Sequence, residues 1–449
     1  MSYLELASDL VARARRQGAD EAECVVREGS QFSVNVRLGE VDQVKDSGSK
    51  AIGLRVLSRS RAASTFSSDF SGKGLDVLLK SAIDTVRFTS EDPFNDLPEA
   101  EQLGVATDPA ALRLHHDDVL ALTAEQKIEM ARTAEGAALE ADPRITNSEG
   151  GDFRSGWSRW TLANSRGFGG EYSLTHCSLS AVLVAESNGS KERDYWYSVS
   201  LNAAGLESPE DVGRRAAERA LRRLHSTKVA TTEVPVIFEP RVAGSLLGHI
   251  FQAASGDAVY RHASFFADKL DKKVAGDNIT VVDDGLRPGR LGSSPFDDEG
   301  VASRRTTIIE DGVLRSYLLN SYSARKLGLE TTGNASRGLA GSPGIGPGNF
   351  MLQPGDASPE DIIASVDRGL YVTELIGYGV NLVTGDYSRG AVGLWIEKGE
   401  LTYAVSEVTI GGNLKEMFKQ IDMIGSDLDY RSVFVAPTLK IRSMTVAGK

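Results

Sequence analysis

The sequence predicts an α+β protein in which two helix–antiparallel strands–helix units precede a strand-rich C-terminal domain. Short runs of alternating apolar residues, bounded by Gly and Ser, are typical of antiparallel hairpins. Runs with helical periodicity flank them, and glycine density rises beyond about residue 230. We therefore divide the 449 residues into domains at 1–110, 111–228 and 229–449.

The first unit begins with a helix at residues 3–17, where Leu6, Leu10 and Ala14 share one face. The strands predicted next are 22–27, 31–37, 41–45, 51–57 and 62–66. A second helix at 73–87 closes the unit. The acidic, proline-containing stretch 89–108 is typical of a linker.

The second unit repeats this order. Thr123 and Gln126 have the spacing of a capping box, which predicts a helix that runs to about residue 140. Strands are predicted at 157–164, 172–186 and 194–201. Ser208 followed by Pro209 indicates another helix start, and that helix is predicted to reach about residue 225. The two units therefore form an architectural repeat.

The last part of the chain mixes strands with short helices. The helices predicted there are 241–256, 317–328, one that starts at Ser358-Pro359, and 414–423. Strands are predicted at 233–238, 278–283 and 437–446, with hairpins around residues 311–312 and 397–400. The glycine-rich stretch 331–348 predicts a long loop or lid.

Composition excludes several classes of function. A net charge of −12 argues against general nucleic-acid binding, which needs clustered Lys and Arg. No apolar run approaches the roughly 20 residues that span a bilayer. The two cysteines, Cys24 and Cys177, match no ligand spacing and predict no disulfide framework. With no signal-peptide pattern visible, we expect a cytoplasmic protein that contacts neither membrane nor nucleic acid.

The predicted helix 241–256 contains a candidate metal site that has lost its ligands. A zinc peptidase places two histidines and a glutamate on such a helix, the imidazoles to hold the metal and the carboxylate to activate water. Here only His249 has a suitable side chain. Other segments stand out as motifs: PFDDEG at 295–300, SYSARKLG at 321–328, TGDYSRGA at 384–391 and VSEVTIGGNLK at 405–415.

Together these segments resemble the TldD/PmbA family, over nearly the whole chain. In TldD the helix reads His-Glu-x-x-x-His, so the resemblance places the lost histidine on Gly244, the lost glutamate on Ser245 and the second histidine on His249. The family's third ligand is a cysteine near the C-terminus, and this chain has none after Cys177. The pattern is that of the TldE/PmbA subunit.

The resemblance implies a non-catalytic subunit of a zinc metallopeptidase complex that degrades or processes unfolded or short peptides. It implies no catalytic residue, metal or cofactor in this chain, with zinc in a TldD-like partner. In isolation the chain is expected to form a homodimer through residues 234–449, with His249 near a shared cleft. The alternatives are a peptide-binding scaffold without a proteolytic partner, and an autonomous peptidase with an unconventional site.

Other candidate residues have more than one interpretation. Asp297, Asp298 and Glu299, with Asp283 nearby, suit either turn structure, a substrate or partner contact in the cleft, or hard-cation binding. His262 is a weak candidate for a replacement ligand. An arginine stripe at positions 214, 215, 219, 222 and 223 suits a solvated helix face or a surface that pairs with an acidic neighbour.

Overall fold

The first two units form one layered body in the computed structural model, which describes residues 1–448. Its helices are α1 (Tyr3–Arg16), α2 (Gly72–Val86), α3 (Asp117–Ala121), α4 (Ala124–Ala141) and α5 (Pro209–Leu221). Its strands are β1 (Glu21–Arg37), β2 (Glu40–Ser58), β3 (Arg61–Ser67), β4 (Ile145–Asn164), β5 (Gly169–Ser187) and β6 (Ser190–Ser200).

The strands of both units belong to a single antiparallel sheet of order β3-β2-β1-β4-β5-β6. The junction is the pairing of β1 with β4, which runs from Glu23 opposite Asn164 to Val36 opposite Gly151. The α+β class and the helix–strands–helix order of both units are confirmed, but the four strands predicted at 22–27, 31–37, 41–45 and 51–57 are only two, β1 and β2. The sequence pattern did not anticipate that the two units share a sheet; the domain boundaries remain a prediction.

All four long helices cover the same face of this sheet. Cys24 and Val26 on β1 pack with α1 and α2, whereas Val34 and Val36 on the same strand pack with α4 and α5. Because side chains alternate along a strand, the residues between them point to the other face. There Val25 joins an apolar cluster that includes Phe296 of the C-terminal domain.

The helix starts follow the capping residues that the sequence predicts. Thr123 accepts a hydrogen bond from the backbone N–H of Gln126, whose side chain returns to the Thr123 N–H, so the capping box is present. Ser208 caps α5 by accepting from the Asp211 N–H, and Ser358 caps the helix Pro359–Ala364 by accepting from the Asp361 N–H; each is followed by a proline at the first helical position.

The C-terminal domain contains the remaining elements. Its helices are α6 (Pro240–Ala254), α7 (Gly256–Tyr260), α8 (Ser321–Leu327), α9 (Pro359–Ala364) and α10 (Leu414–Met417). Its strands are β7 (Thr232–Phe238), β8 (Val281–Asp284), β9 (Arg305–Glu310), β10 (Val313–Leu314), β11 (Ala335–Ser336), β12 (Gly344–Ile345), β13 (Asn349–Leu352), β14 (Arg368–Ile376), β15 (Asp386–Glu397), β16 (Glu400–Asn413), β17 (Ile421–Ile424), β18 (Phe434–Val435) and β19 (Leu439–Ala447).

Helix α6 lies between two sheets of this domain. One sheet has the order β16-β15-β14-β7-β19-β17, and a further pairing of β16 with β19 closes it on itself. The other has the order β10-β9-β8-β13-β18. The helix contacts β14 of the six-stranded C-terminal sheet and β13 and β18 of the five-stranded sheet. Its apolar positions therefore enter the main core, as its periodicity predicts.

One predicted helix is wrong. Residues 414–423 were expected to be helical throughout, but α10 ends at Met417 and β17 begins at Ile421. Met417, Ile421 and Ile424 are all buried at intervals that imitate a helix. Pairing of β17 with β19, interrupted by a bulge, overrides that local pattern. No helix in the described residues is both long and apolar enough to cross a membrane.

The glycine-rich residues 331–348 form a loop, as predicted, but the loop is fixed against the first sheet. Arg337 pairs with the buried carboxylate of Glu23 on β1, and Arg55 on β2 donates to the same oxygen at 2.8 Å. A Cβ on Gly53 would lie 1.9 Å from the carbonyl oxygen of Leu339, so only glycine allows this approach.

A buried ionic cluster joins α5 to the start of α6. Arg219 donates to Glu239 Oε2 at 3.1 Å and to Oε1 at 2.9 Å, and Arg222 donates to Oε2 at 3.3 Å. Arg223 pairs with Glu374 of β14. Arg219, Arg222 and Arg223 of the arginine stripe therefore pair with acidic neighbours, whereas Arg214 and Arg215 are 54 and 55% exposed, as on a solvated face.

We predict that Glu239→Gln lowers the free energy of unfolding by about 3 kcal/mol, because it leaves buried arginines without their counter-ion. Urea denaturation measures the change. The matched control is Glu233→Gln on the exposed end of β7, for which we expect a change within about 0.5 kcal/mol. Equal effects of the two substitutions would contradict the role given to the cluster.

Candidate functional site

Helix α6 is set in place by the residues around its first turn. It follows β7 directly and has Pro240 at its first position, where no backbone N–H is needed. Glu239 precedes it and brings a carboxylate to the positive end of the helix dipole. The helix is buried over most of its length, and His249 is only 2% exposed.

Gly244 and Ser245, the positions of the missing histidine and glutamate, have different surroundings. A Cβ on Gly244 would lie 3.0 Å from the carbonyl oxygen of Phe434, so β18 packs against the position of the first histidine. Ser245 is half-buried, and its hydroxyl donates to the carbonyl oxygen of Val242 at 2.7 Å. Neither residue supplies a metal ligand or a general base.

His249 lies among aromatic rings and one arginine. The ring centroids of Tyr387 and Tyr378 are 5.9 and 6.3 Å from that of the imidazole. Burial, with a smaller contribution from the nearby Arg389, lowers the pKa of His249 to about 4. Within residues 1–448 neither ring nitrogen has a hydrogen-bond partner. His249 is therefore a buried histidine that packs against aromatic rings.

The side chains around His249 do not fit a catalytic zinc. Such a site takes three protein ligands and a water, and here one imidazole faces two phenols and a guanidinium. No group of three or more His, Cys, Asp or Glu in the described part of the chain has ligand geometry. His262 is not recruited: its side chain is 74% exposed, and its Nδ1 lies 3.9 Å from Asp268 Oδ2.

An apolar surface borders His249 on the solvent side. Tyr378 donates to Gln252 of α6 at 3.2 Å, which fixes the loop between β14 and β15 over the helix. On this segment the side chains of Ile376, Tyr378 and Val383 are 54, 69 and 56% exposed. Exposed apolar groups in one short segment are typical of a contact surface for a peptide or a protein.

The acidic cluster holds backbone rather than facing solvent. Asp297 is buried, and its carboxylate accepts hydrogen bonds from the backbone N–H groups of Glu299, Val301 and Ala335, all at 2.9 Å. Asp298 accepts from the Arg337 N–H at 2.8 Å. Glu299 accepts from the Ser321 N–H at 2.9 Å, at the first position of α8. These bonds fix the glycine-rich loop and α8, which is the structural interpretation of the cluster.

Asp283 is the acidic residue whose hydrogen bonding is incomplete. Asn334 donates to its Oδ2 at 2.7 Å, while Oδ1 is buried without a partner among the described residues. Burial raises the pKa of Asp283 to about 6, although the Asn334 hydrogen bond lowers it. Burial likewise raises the pKa values of Asp297, Asp298 and Glu299.

The comparison with known families agrees with this geometry. Three profiles of the PmbA/TldA metallopeptidase family match the chain: domain 1 at residues 22–85, the central domain at 117–224 and the C-terminal domain at 231–448. The chain is 40% identical to metalloprotease PmbA of Escherichia coli over 431 residues, 96% of this chain and 93% of that protein. The chain belongs to the PmbA/TldD family.

Other members of the PmbA/TldD family extend the comparison. A PmbA homologue of Haemophilus influenzae is 35% identical over 98% of this chain and 94% of its own length. A proposed modulator of DNA gyrase from Bacteroides thetaiotaomicron superposes with a TM-score of 0.92 at 28% identity, covering 99 and 98% of the two chains. TldE of Thermococcus kodakarensis, at 22% identity and a TM-score of 0.88 over 98 and 99%, has the same fold.

Sequence reasoning found the helix but not its surroundings. Gly244, Ser245 and His249 lie on one helix, as predicted, and Asp297 to Glu299 lie together at the loop. Tyr387 and Arg389, which lie near His249, were noticed only as part of a family motif. Their spacing of two along one strand was the available signal, since such residues share one face.

We predict that the isolated protein contains far less than one zinc per chain, because a single imidazole cannot complete a zinc coordination shell. Elemental analysis of protein purified without chelator measures the content. About one zinc per chain, lost in His249→Ala, would contradict this account of α6.

We predict that Asp283 makes folding less favourable as the pH rises. Its folded pKa, about 6, exceeds its ordinary value of 3.8, so its contribution to stability is full below 3.8 and is lost as the pH rises through 6. Asp283→Asn does not titrate. Relative to the wild type, its free energy of unfolding should rise by about 1 kcal/mol between about pH 5 and pH 7.5. Urea denaturation across this range tests it, and Asp284→Asn should lack the trend.

Proposed function

We propose that this chain is a TldE/PmbA-like, non-catalytic subunit of a two-subunit zinc metallopeptidase. The complex degrades or processes unfolded or short peptides in the cytoplasm, and the zinc is held by a TldD-like partner. Membership of the PmbA/TldD family supports the general activity. The division of labour between subunits is our inference from the residues of α6.

The observation that carries this proposal is that α6 lies where a catalytic helix would lie but lacks two of the three side chains that zinc catalysis needs. Helix α6 lies in the centre of the C-terminal domain, between two sheets, where a catalytic helix is held rigidly. It presents Gly244, Ser245 and His249 where a zinc peptidase presents two ligands and a base. With Gly244 packed against Phe434, the helix supports a cleft without activating water.

The apolar surface beside His249 is suited to contact with a neighbouring chain. The loop of residues 376–384 places exposed apolar side chains beside His249. If the two subunits contact each other through their C-terminal domains, this loop borders the space between their core helices. Burial of exposed Ile376 and Val383 would contribute to a stable interface, since interface cores are enriched in large apolar groups.

A second function, a peptide-binding scaffold without a proteolytic partner, is favoured by one feature of the first sheet. Residues 40–50 of β2 pair with β1 on one side only, because β3 pairs with β2 from Ile52 onward. All eleven residues of this run are exposed. An extended peptide adds to such a free edge through backbone hydrogen bonds, with little demand on its side chains.

Mixing experiments separate these functions. We expect no peptidase activity from this chain alone, and chelator-sensitive cleavage of an unfolded peptide once a His-Glu-x-x-x-His subunit from the same organism is added. If the mixture binds peptide without cleaving it, the scaffold function is correct. Chelator-sensitive cleavage by the purified chain alone would identify an autonomous peptidase and overturn our proposal.

We predict that the isolated chain is a homodimer that associates through its C-terminal domain. Light scattering should give twice the 48.1 kDa chain mass. Ile376→Asp combined with Val383→Asp should shift the protein towards monomer, because buried charges weaken an apolar interface. The matched control is Val77→Asp, on α2 and 62% exposed. A wild-type monomer at micromolar concentration, or dissociation by the control alone, would contradict the predicted interface.

A further inference from the structure

A cavity lies where the sheet of β1–β6 meets the C-terminal domain. It has a volume of about 260 Å³ and is bounded by β5, by residues 283–304 and by the glycine-rich loop. None of the described residues of α6 lines this cavity, so it is separate from the surface beside His249. The cavity is much larger than the roughly 30 Å³ that one water occupies in the liquid.

The polar end of this cavity is an incomplete hydrogen-bond site. Asp283 lines it and is only 3% exposed, yet its Oδ1 has no partner among residues 1–448. A buried acceptor left unpaired destabilises the folded state, and more so when it is charged. A hydrogen-bond donor that enters the cavity would remove this cost.

The charge around Asp283 favours a cation. Asp284 is the charged group that acts on it, and its like charge raises the pKa of Asp283 further. Arg304 lines the cavity from an exposed position. Uncharged donors, Asn334 and the backbone, are the groups that lower the pKa.

One wall of the cavity is apolar: Phe296 is buried and meets Tyr172 edge-to-face at 5.3 Å, and Leu174 and Leu291 complete this side. Asp297 and Asp298 also line the cavity, but their carboxylates accept hydrogen bonds from backbone N–H groups. A hard metal ion needs six or more oxygen ligands, and no cluster of three acidic, His or Cys side chains with ligand geometry occurs within residues 1–448. A buried carboxylate with an unpaired oxygen beside an aromatic wall is typical of a site for an organic ammonium ion.

We propose that this cavity binds a protonated primary amine attached to a small apolar group, the chemistry that a free peptide N-terminus with an apolar first residue presents. The ammonium donates to Asp283 Oδ1, and the apolar group packs against Phe296 and Leu291. This site lies outside the cleft at His249, and its occupancy does not depend on the peptidase role.

The test uses the full chain and two probes, L-leucinamide and its N-acetyl derivative, in calorimetric titrations near neutral pH. Leucinamide should bind, and acetylation should weaken binding at least about tenfold, because it removes the charge and two N–H donors. In methyl-labelled protein the signals of Leu174 and Leu291 should shift with leucinamide. Asp283→Asn should weaken binding at least about tenfold.

The comparison variant is Asp284→Asn, whose carboxylate accepts from the backbone N–H of Leu286 at 3.0 Å; it should weaken leucinamide binding less than Asp283→Asn does, because it removes a neighbouring charge but not the acceptor of the ammonium. Thermal denaturation verifies that both variants are folded. If Asp283→Asn does not fold, the comparison of the two probes on the wild type decides. Equal binding of both probes, no binding of leucinamide, or complete displacement by potassium chloride but not by sodium chloride would overturn the proposal.

Discussion

The ionic cluster at Glu239 is the contact on which the placement of the core helix depends. Its carboxylate lies at the start of α6, and its main partner, Arg219, lies on α5 of the first body. Charges buried this deeply are tolerated only as a complete set. The cluster therefore fixes both the start of α6 and the angle at which the two parts of the molecule meet. The position of His249, nearly three turns along, follows from that constraint.

Local signals in the sequence predict the elements well where caps and periodicity agree. Thr123, Ser208 and Ser358 each begin the predicted helix, since an N-cap hydrogen bond is a local interaction. Strand length was less predictable. Strand β1 is continuous from Glu21 to Arg37, yet the polar residues 28–30 interrupt its apolar alternation and suggest two strands. Pairing with β2 and β4 on both sides maintains the strand through that interval.

Only the part of the site that lies on α6 was predictable from the sequence. Gly244, Ser245 and His249 are close in sequence, so their common placement follows from helix geometry. Tyr387 reaches His249 from more than 130 residues away, and Asp283 meets Asn334 across a separation of 51. Such contacts depend on strand order, which local patterns do not specify. The arginine stripe shows the same limit, because its acidic partners include Glu239 before α6, Asp194 on β6 and Glu374 on β14.

The contact between Arg337 and Glu23 also has a consequence for synthesis of the chain. The two residues are 314 positions apart. Ribosomes add about 5–20 residues per second, so β1 exists for roughly 15–60 s before the loop that supplies Arg337, the later of the two partners of its buried carboxylate, is made. During that interval the face of the sheet that bears Val25 is open to water. The nascent first body is thus a transient client for chaperones that recognise exposed apolar surface.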